Sequence, residues 1–346
     1  MVINSPYNVK IEEVDIPKVK SGEILVKAKV SGISSGTEMM LYRGTYPNFK
    51  HKKWEDDWKE YPVYPGYELV GVVDKIGKEE NTESSLAQVD GDRFKKGDRV
   101  VCLGPHAEYV GIPVKFAVKI PDHITDENAT LVVLGTTAFH CIQRAEIEYG
   151  EVVSIIGMGV LGILALQHAK LAGASKVIAI DLDNVRLQIA KEAGADLCLN
   201  PKNCDLIKTI FEKTKIGSDV VIEASGGRGT PQVAIDIMRD RGRVVLLGWH
   251  TEDVSFSFGD LYFKEGKLIT SRAIGPDQEL PYSYIRFTSS INLKIVMELI
   301  SQGKIKTNIF QPTIFNYNDI LRAYELIDKN PKKIGLQAII NWEEKI

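Results

Sequence analysis

A glycine motif lies near the middle of the chain, and its spacing fits the binding of a diphosphate. Its residues are Gly157, Met158, Gly159, Val160, Leu161 and Gly162. The motif follows the apolar run VVSII and opens a helix-like run, which is the context that such a motif requires. Gly157 permits a tight turn, Gly159 lets the backbone approach a pyrophosphate, and Gly162 lets the helix pack closely. Free N–H groups at the helix N-terminus suit phosphates, so the motif predicts a dinucleotide site.

The residues that follow indicate which dinucleotide is bound. Asp181 comes 24 residues after Gly157, at the end of the next apolar run. A carboxylate there accepts hydrogen bonds from the ribose hydroxyls of NAD and repels the 2′-phosphate of NADP. NAD is therefore the predicted cofactor. Arg186 complicates this prediction, because it either takes part in cofactor binding or only pairs with a carboxylate on its own helix.

The elements that must position these residues change in character along the chain. Up to about residue 120 the sequence predicts short strands punctuated by Gly and Pro. From about residue 125, apolar strands alternate with helices, which indicates an α/β fold with a doubly wound parallel sheet of six strands. The tail from about residue 284 is expected to fold back onto the N-terminal part. The six predicted strands are EVVSIIG, KVIAID, DLCLN, DVVIEA, RVVLLG and KLITSRAI.

Composition excludes several classes of function. The chain has 346 residues and a formal net charge of −3, which gives no electrostatic argument for nucleic acid or an anionic membrane. No apolar run is long enough to span a bilayer, and the N-terminus lacks the apolar segment of a secretory signal. A cytoplasmic protein with a small-molecule substrate is the expectation. The four cysteines contain no CxxC pair, so neither a zinc knuckle nor a disulfide framework is predicted.

The motifs occur in an order that resembles the medium-chain dehydrogenase/reductase superfamily, the relatives of alcohol dehydrogenase. SGISSGTE, YPVYPGYELVGVVDKIG, KKGDRVV and HAEYV precede the glycine motif, and DVVIEASGG follows it. The resemblance covers nearly the whole chain. It implies a GroES-like β-barrel catalytic domain at residues 1–122 and 284–346, and a Rossmann domain at 123–283. SGISSGTE and PGYE resemble a narrower branch, that of bacteriochlorophyllide dehydrogenases and the N-terminal module of bi-domain oxidoreductases.

The sequence departs from the zinc-containing members at all three catalytic ligand positions. Ser35 replaces a cysteine, Tyr67 replaces a histidine, and Val133 matches the position of the third ligand. A hydroxyl, a phenol and an alkyl group do not make a catalytic zinc site. The sequence therefore predicts no metal.

Without zinc, side chains must hold the reacting oxygen and move its proton. The resemblance places Tyr67 beside that oxygen, where a phenol donates well but is a poor base at neutral pH. Thr37 matches the proton-relay hydroxyl, Glu68 flanks the vacated metal position, and His106 is a histidine able to titrate near neutrality. Each has a plainer alternative: Tyr67 only packs, Thr37 only forms a turn, Glu68 forms a structural ion pair, and His106 is a satisfied histidine.

Further cofactor contacts are implied by the fold and the resemblance. Thr137 matches a position that contacts nicotinamide, and Gly226, Gly248 and Ile274 end the fourth, fifth and sixth predicted strands, where cofactors lie in doubly wound sheets. Arg286, with Tyr282 and Tyr284, is a candidate clamp for an anionic substrate group. The sixth strand is also expected to join two copies as a homodimer.

These predictions favour an NAD(H)-dependent oxidoreductase that transfers hydride between nicotinamide and a secondary alcohol or ketone, sugar-like or cyclic, without zinc. Two alternatives stay open. One is an NADPH-dependent reductase of quinones or enones, against which Asp181 argues. The other is a non-catalytic NAD-binding module.

Overall fold

The computed structural model describes residues 1–52, 58–77, 88–89, 92–250, 253–276 and 287–343. It divides into two compact units. Unit 1 comprises Met1–Val133, Ser289–Ser301 and Phe310–Ile346, and unit 2 comprises Leu134–Thr288 and Gln302–Ile309. The division falls eleven residues beyond the predicted boundary at 122/123, inside a long helix rather than before it, because Asp126–Ala145 is one continuous helix.

The strands are, in chain order, β1 (Val2–Ser5), β2 (Asn8–Lys10), β3 (Glu23–Ile33), β4 (Leu69–Ile76), β5 (Gln88–Val89), β6 (Asp92–Arg93), β7 (Arg99–Cys102), β8 (Tyr109–Pro113), β9 (Ala117–Lys119), β10 (Val152–Ile156), β11 (Lys176–Ile180), β12 (Leu197–Leu199), β13 (Ser218–Glu223), β14 (Met238–Leu246), β15 (Lys267–Thr270), β16 (Thr313–Asn316) and β17 (Ala338–Asn341). The α-helices are α1 (Thr37–Arg43), α2 (Pro47–His51), α3 (Asp126–Ala145), α4 (Val160–Leu171), α5 (Asn184–Ala193), α6 (Leu206–Thr214), α7 (Thr230–Ile237), α8 (Phe258–Phe263), α9 (Ser289–Ser301) and α10 (Ile320–Lys329). Single 3₁₀ turns occupy Val114–Phe116, Tyr317–Asp319 and Pro331–Lys333.

Unit 1 is built on a seven-stranded sheet in the order β16-β17-β3-β4-β7-β9, with β8 also paired to β3. Alternate residues of β3 face the core, where Ile24, Val26 and Ala28 are buried, while Lys27 on the opposite face is exposed. The C-terminal strand β17 pairs with β3, so the tail folds back onto the N-terminal part as predicted. This pairing brings residues near position 340 beside residues near position 31.

Unit 2 contains a six-stranded parallel sheet in the order β12-β11-β10-β13-β14-β15. The order reverses between β10 and β13, which is the arrangement of a doubly wound nucleotide-binding fold and confirms the predicted fold class. The strands are apolar on both faces because both faces are covered: Val153, Ile155, Ile178 and Val221 are fully buried.

The sixth strand is shorter than predicted. KLITSRAI was expected to be one strand, but β15 ends at Thr270. Ser271 donates the last backbone bond to Leu246, and the chain then turns, with Ala273 at φ +34° and Gly275 N–H bonded to Arg272 O. Ile274 therefore lies in a turn four residues beyond the strand. Gly226 and Gly248 likewise lie past the ends of β13 and β14, in the loops that follow them.

No helix among the described residues is both long enough and apolar enough to cross a membrane.

Candidate functional site

The glycine motif in unit 2 forms a tight loop between β10 and α4. Gly157 has φ +95°, and a Cβ there would lie 2.8 Å from Ser225. At Gly162 a Cβ would lie 1.8 Å from the carbonyl oxygen of Gly157, so the first turn of α4 packs directly on the loop. At Gly159 a Cβ would meet nothing within 4 Å. Two glycines are thus required by the protein's own packing, and the third borders open space that a ligand can fill.

The start of α4 has the features of an anion site. Its N-cap is Gly159, and no side chain caps it. The first backbone N–H groups of a helix have no partner within the helix, and the dipole adds positive potential. Val160 and Leu161 belong to this turn and Met158 precedes its N-cap, while the contacts of all three with a cofactor stay predictions. The loop and helix fit a dinucleotide diphosphate, held by backbone groups rather than by charged side chains.

Asp181 directly follows β11 and is already part of the loop's own hydrogen bonding. One carboxylate oxygen accepts from the Met158 N–H at 2.7 Å, and the other accepts from the Asp183 N–H at 2.8 Å. A carboxylate has about four lone-pair directions, so capacity remains for ribose hydroxyls. Asp181 therefore joins the second strand to the glycine loop, a contact that the spacing in the sequence did not predict.

Arg186 lies in the first turn of α5 and is half-buried. The sequence left open whether it pairs with a carboxylate on its own helix. Over the described part of the chain, none of the hydrogen bonds or ion pairs involves its guanidinium. The pairing alternative is not seen, and the guanidinium remains available for a ligand.

The loops after β13 and β14 are tied together by Glu223, which the sequence analysis missed. This residue is fully buried at the carboxyl end of β13. Its side chain accepts from Ser225 N–H at 2.9 Å, from the Thr230 hydroxyl at 2.9 Å and from the Ser225 hydroxyl. Its backbone oxygen accepts from Gly248 N–H at 2.7 Å. A glutamate inside the apolar strand DVVIEA was the signal that could have identified it.

Four other predicted cofactor positions lie in unit 2. Gly226 and Gly248 approach each other closely: a Cβ at Gly248 would lie 2.4 Å from Gly226 N. Thr137 lies in α3 and is half-buried, and Ile274 lies in the turn after β15. Their contacts with a cofactor stay predictions. Arg286, Tyr282 and Tyr284 lie outside the described residues.

In unit 1 the structure brings Tyr67 and Thr37 together, as the candidate relay requires. The Tyr67 hydroxyl is hydrogen-bonded to the side chains of Ser34 and Thr37. Burial raises the pKa of the Tyr67 phenol well above its ordinary value, and the carboxylates of Glu68 and Glu38 raise it further. The phenol is therefore protonated at neutral pH and acts as a donor. Ser34, which lies just before the β3–α1 turn, was not predicted as a partner.

His106 lies in the same unit but is almost fully buried, with 1% of its surface exposed. Its Nε2 is 2.9 Å from Glu38 Oε2, and its Nδ1 is 2.8 Å from Ser31 Oγ. Both ring nitrogens are thus occupied by the protein. This geometry matches the satisfied-histidine alternative and does not favour the direct acid–base role that was predicted.

Glu38 is the centre of a buried hydrogen-bond network. Besides His106, it accepts from the Ser34 N–H at 2.8 Å and from the Tyr324 hydroxyl. Ser31 Oγ in turn accepts from Trp342 Nε1 at 2.8 Å. Tyr324 and Trp342 are about 290 and 310 positions away in sequence. No local pattern could have identified them as partners.

Glu68 is fully buried, and neither of its carboxylate oxygens has a hydrogen-bond partner. Neither the orienting hydrogen bond nor the structural ion pair considered for it is formed within the described residues. Burial raises the pKa of Glu68 well above its ordinary value, with a further rise from Glu38. Burial in this unpaired state therefore favours the protonated form of Glu68.

The donor set in unit 1 does not fit a catalytic zinc. Ser35 is exposed, Tyr67 is bonded to hydroxyls, and Val133 has an alkyl side chain. Within the part of the chain that the structure describes, no group of three or more His, Cys, Asp and Glu side chains could hold a metal ion. Zinc sites need three or four such donors.

A doubly wound sheet with a glycine loop, together with a second unit built on a mainly antiparallel sheet, defines the alcohol dehydrogenase-like class of oxidoreductases. Residues 20–122 match the alcohol dehydrogenase GroES-like domain, and residues 160–290 match the zinc-binding dehydrogenase family. The chain belongs to the medium-chain dehydrogenase/reductase superfamily of zinc-type alcohol dehydrogenase-like proteins.

Individual relatives match along most of their length. An alcohol dehydrogenase of Geobacillus stearothermophilus is 28% identical over 333 residues, which is 90% of this chain and 91% of the relative. The erythritol/L-threitol dehydrogenase of Mycolicibacterium smegmatis is 28% identical over 287 residues, 74% of this chain and 77% of the relative. The NADH complex of the Escherichia coli short chain alcohol dehydrogenase rspB superposes with a TM-score of 0.79, at 24% identity, covering 99% of this chain and 98% of that one.

Proposed function

We propose that this protein is an NAD(H)-dependent dehydrogenase that interconverts a secondary alcohol and its ketone without a catalytic zinc. The observation that carries the proposal is the Tyr67 phenol bonded to the Ser34 and Thr37 hydroxyls, where zinc-containing relatives have a metal ligand. A hydroxyl cluster can hold the reacting oxygen atom by hydrogen bonds and supply it with a proton. In the zinc-containing relatives the metal holds and polarises that oxygen instead.

The residues of unit 1 perform the proton chemistry in this proposal. In ketone reduction Tyr67 would give its proton to the oxygen that becomes the alcohol, and Thr37 would pass a proton to the phenolate through the bond it already makes, regaining its own proton from water. Because the pKa of Tyr67 is raised, the phenol is protonated near neutral pH and can hydrogen-bond the oxygen atom of a ketone.

The residues of unit 2 hold the coenzyme. The backbone N–H groups at the start of α4 bind the diphosphate, and the remaining lone pairs of Asp181 accept from the ribose. A bound nicotinamide supplies the hydride, which no side chain can provide. The preference for NAD over NADP rests on the negative charge of Asp181.

Arg186 is the residue that favours NADPH as the alternative cofactor. Its guanidinium has no partner within the described residues, and it lies five positions after Asp181. A guanidinium suits the 2′-phosphate of NADP, which is the cofactor expected for a quinone or enone reductase.

The substrate class is argued from the relatives. Several are polyol or sugar-alcohol dehydrogenases, including the erythritol/L-threitol enzyme of Mycolicibacterium smegmatis. We extend this to a small polyhydroxylated or cyclic alcohol as the substrate here.

A homodimer through β15 is part of the proposal. Within the described residues β15 pairs only with β14, and its Leu268 and Ile269 are half-buried. An apolar edge strand is stabilised by pairing with a second copy. Light scattering after size-exclusion chromatography is expected to give twice the 38.5 kDa chain mass.

The test uses purified protein in three measurements. Elemental analysis is expected to find zinc far below one equivalent per chain. NADH and NADPH titrated against protein fluorescence are expected to show tighter binding of NADH, and a panel of polyols and ketones is expected to show turnover. Stoichiometric zinc contradicts the metal-free site, tighter NADPH binding favours the reductase alternative, and NADH binding with no turnover favours a non-catalytic module.

A further inference from the structure

The strongest feature outside the residues already assigned is the anchoring of Glu38. Glu38 directly follows Thr37 in α1, and its Oε1 accepts from the Ser34 N–H at 2.8 Å. Ser34 and Thr37 are the two residues whose hydroxyls bond the Tyr67 phenol. The backbone that presents both partners of Tyr67 is therefore fixed at one buried carboxylate.

Glu38 is itself held by residues from distant parts of unit 1. His106 lies in the loop between β7 and β8, and its Nε2 is 2.9 Å from Glu38 Oε2. The hydroxyl of Tyr324 in α10 donates a hydrogen bond to the same carboxylate oxygen. Burial raises the pKa of Tyr324 well above its ordinary value, and the charge of Glu38 raises it further, so this hydroxyl keeps its proton. Buried carboxylates with several donors stay ionised.

The same loop also fixes the segment that carries Tyr67. The backbone N–H of His106 donates to Pro65 O at 2.9 Å, two residues before Tyr67. One network thus holds Tyr67 through the segment that precedes β4 and through the hydroxyls that it contacts.

We propose that Glu38 is a positioning residue for Tyr67: through Ser34 and Thr37 it sets the direction of the phenol. The negative charge of Glu38 also disfavours the phenolate form of Tyr67. This inference rests on the proposed role of Tyr67, but its test needs no substrate. Besides Glu38, the charge of Glu68 acts on the pKa of Tyr67, and the phenol of Tyr67 in turn acts on that of Tyr324. Both are present in the variant that removes the charge.

Glu38→Gln removes that charge with little loss of hydrogen bonding. The amide oxygen still accepts from the Ser34 N–H, and the amide NH₂ donates to Tyr324 Oη and to His106 Nε2. His106 accommodates this by moving its proton to Nδ1, which faces Ser31 Oγ at 2.8 Å. The matched control is Tyr324→Phe, which removes one hydrogen bond to Glu38 and leaves its charge.

The readout is the ionisation of residue 67 alone. A fluorinated tyrosine incorporated at position 67 is more acidic than tyrosine, which brings its titration into an accessible pH range, and ¹⁹F NMR follows it directly. We expect Glu38→Gln to lower the titration midpoint and Tyr324→Phe not to lower it. An unchanged midpoint in Glu38→Gln overturns the proposal. Equal lowering in both variants also overturns it, because it shows a loosened site rather than a lost charge.

A second measurement uses the unaltered protein, in case Glu38→Gln does not fold. ¹⁵N NMR of histidine assigns the protonated ring nitrogen of His106. An ionised Glu38 requires a proton on Nε2, whereas an unprotonated Nε2 means that Glu38 is neutral and overturns the proposal. Once a substrate is found, Glu38→Gln is expected to lower kcat about tenfold or more, with little change in the KM for NADH. Absence of turnover in the parent protein counts against the proposed function and leaves both NMR tests intact.

Discussion

The glycine loop of unit 2 and the Tyr67 cluster of unit 1 are built on opposite principles. In the loop, backbone groups make the site: Gly162 lets α4 reach the Gly157 carbonyl, and the helix start offers its N–H groups. In the cluster, side chains from five separate segments make the site, with Tyr324 and Trp342 reaching Glu38 and Ser31 from the far end of the sequence. Backbone sites tolerate much change in side chains, whereas side-chain sites change their chemistry by substitution.

This difference gives a physical reason why a framework shared with zinc-containing relatives can carry a different cluster of side chains. The coenzyme loop depends on local spacing that a substitution elsewhere does not alter. The positions that match zinc ligands carry Ser35, Tyr67 and Val133, and the surrounding hydrogen bonds support a phenol instead. If the two sites are separable in this way, a substitution in one of them leaves the other unchanged.

Tyr67→Phe tests the cluster with the largest expected effect. Loss of the phenolic proton donor should lower kcat about 10³-fold, which is ~4 kcal/mol of transition-state stabilisation. Affinity for NADH should stay within about twofold of the parent. The measurement is steady-state turnover of the best ketone together with a fluorescence titration of NADH.

Tyr64→Phe is the matched control for this variant, because Tyr64 lies three residues away and is 52% exposed. It should leave turnover unchanged. Full activity in Tyr67→Phe would falsify the role of the phenol as donor.

Two buried histidines have different surroundings in the two units. His106 in unit 1 lies between a carboxylate and a serine, whereas His168 in α4 packs on Phe139, and its Nε2 has no hydrogen-bond partner among the described residues. Burial lowers the pKa of His168 to about 4 from 6.5. Because this folded-state pKa is depressed, the unfolded chain binds the proton first as pH falls. The contribution of His168 to the free energy of unfolding is fully present above about pH 6.5 and is lost progressively as the pH falls to about 4.

The expected loss from His168 is about 3 kcal/mol across this range, from a depression of about 2.5 pKa units. Urea unfolding at several pH values should show a steeper decline in the parent than in His168→Gln, which removes the titrating ring. Parallel declines in the two proteins would show that this histidine is hydrated rather than buried.

Gly162→Ala tests the backbone site. A Cβ would lie 1.8 Å from the Gly157 carbonyl oxygen, so α4 must move away from the loop. Affinity for NADH should fall about 100-fold, or ~2.8 kcal/mol, with a lower urea midpoint.

Gly159→Ala is the matched variant, since its Cβ meets open space. It should fold normally and bind NADH more weakly. Normal NADH binding by Gly159→Ala would mean that the diphosphate does not use this space.

Local patterns predicted the backbone site and most of the fold. The Gly157–Gly162 spacing and the alternation of strands and helices act over a few residues, so the loop and a doubly wound sheet of six strands were predicted. The tail was expected to fold back onto the N-terminal part, but its pairing with β3 was not specified. The end of β15 was not, because the turn at Ala273 follows an apolar run that reads as strand. The contacts of Asp181 also escaped, since its carboxylate bonds a loop 23 residues earlier.

The side-chain site was predicted only in part. Tyr67 and Thr37 were singled out from their positions in PGYE and SGISSGTE, and the structure places them together. His106 was identified as a residue of interest, but its burial against Glu38 and Ser31 depends on which loops meet, which spacing does not encode. Tyr324 and Trp342 could not be found at all, because their partners lie about 290 or more positions away.

Trp342→Phe tests this long-range dependence with the smallest expected effect. The indole N–H donates to Ser31 Oγ at 2.8 Å, and the ring stacks on Tyr317 with centroids 5.9 Å apart. Phenylalanine keeps an aromatic ring but loses the donor, so stability should fall by about 1 kcal/mol, measured as a lower urea midpoint. Tyr317→Phe preserves the stack and should have no effect.

Since Ser31 supports His106 and His106 supports Glu38, Trp342→Phe should also shift the ¹⁵N signals of His106 while leaving NADH affinity unchanged. An unaltered His106 spectrum would mean that the C-terminal strand only closes the sheet and does not reach the cluster around Tyr67.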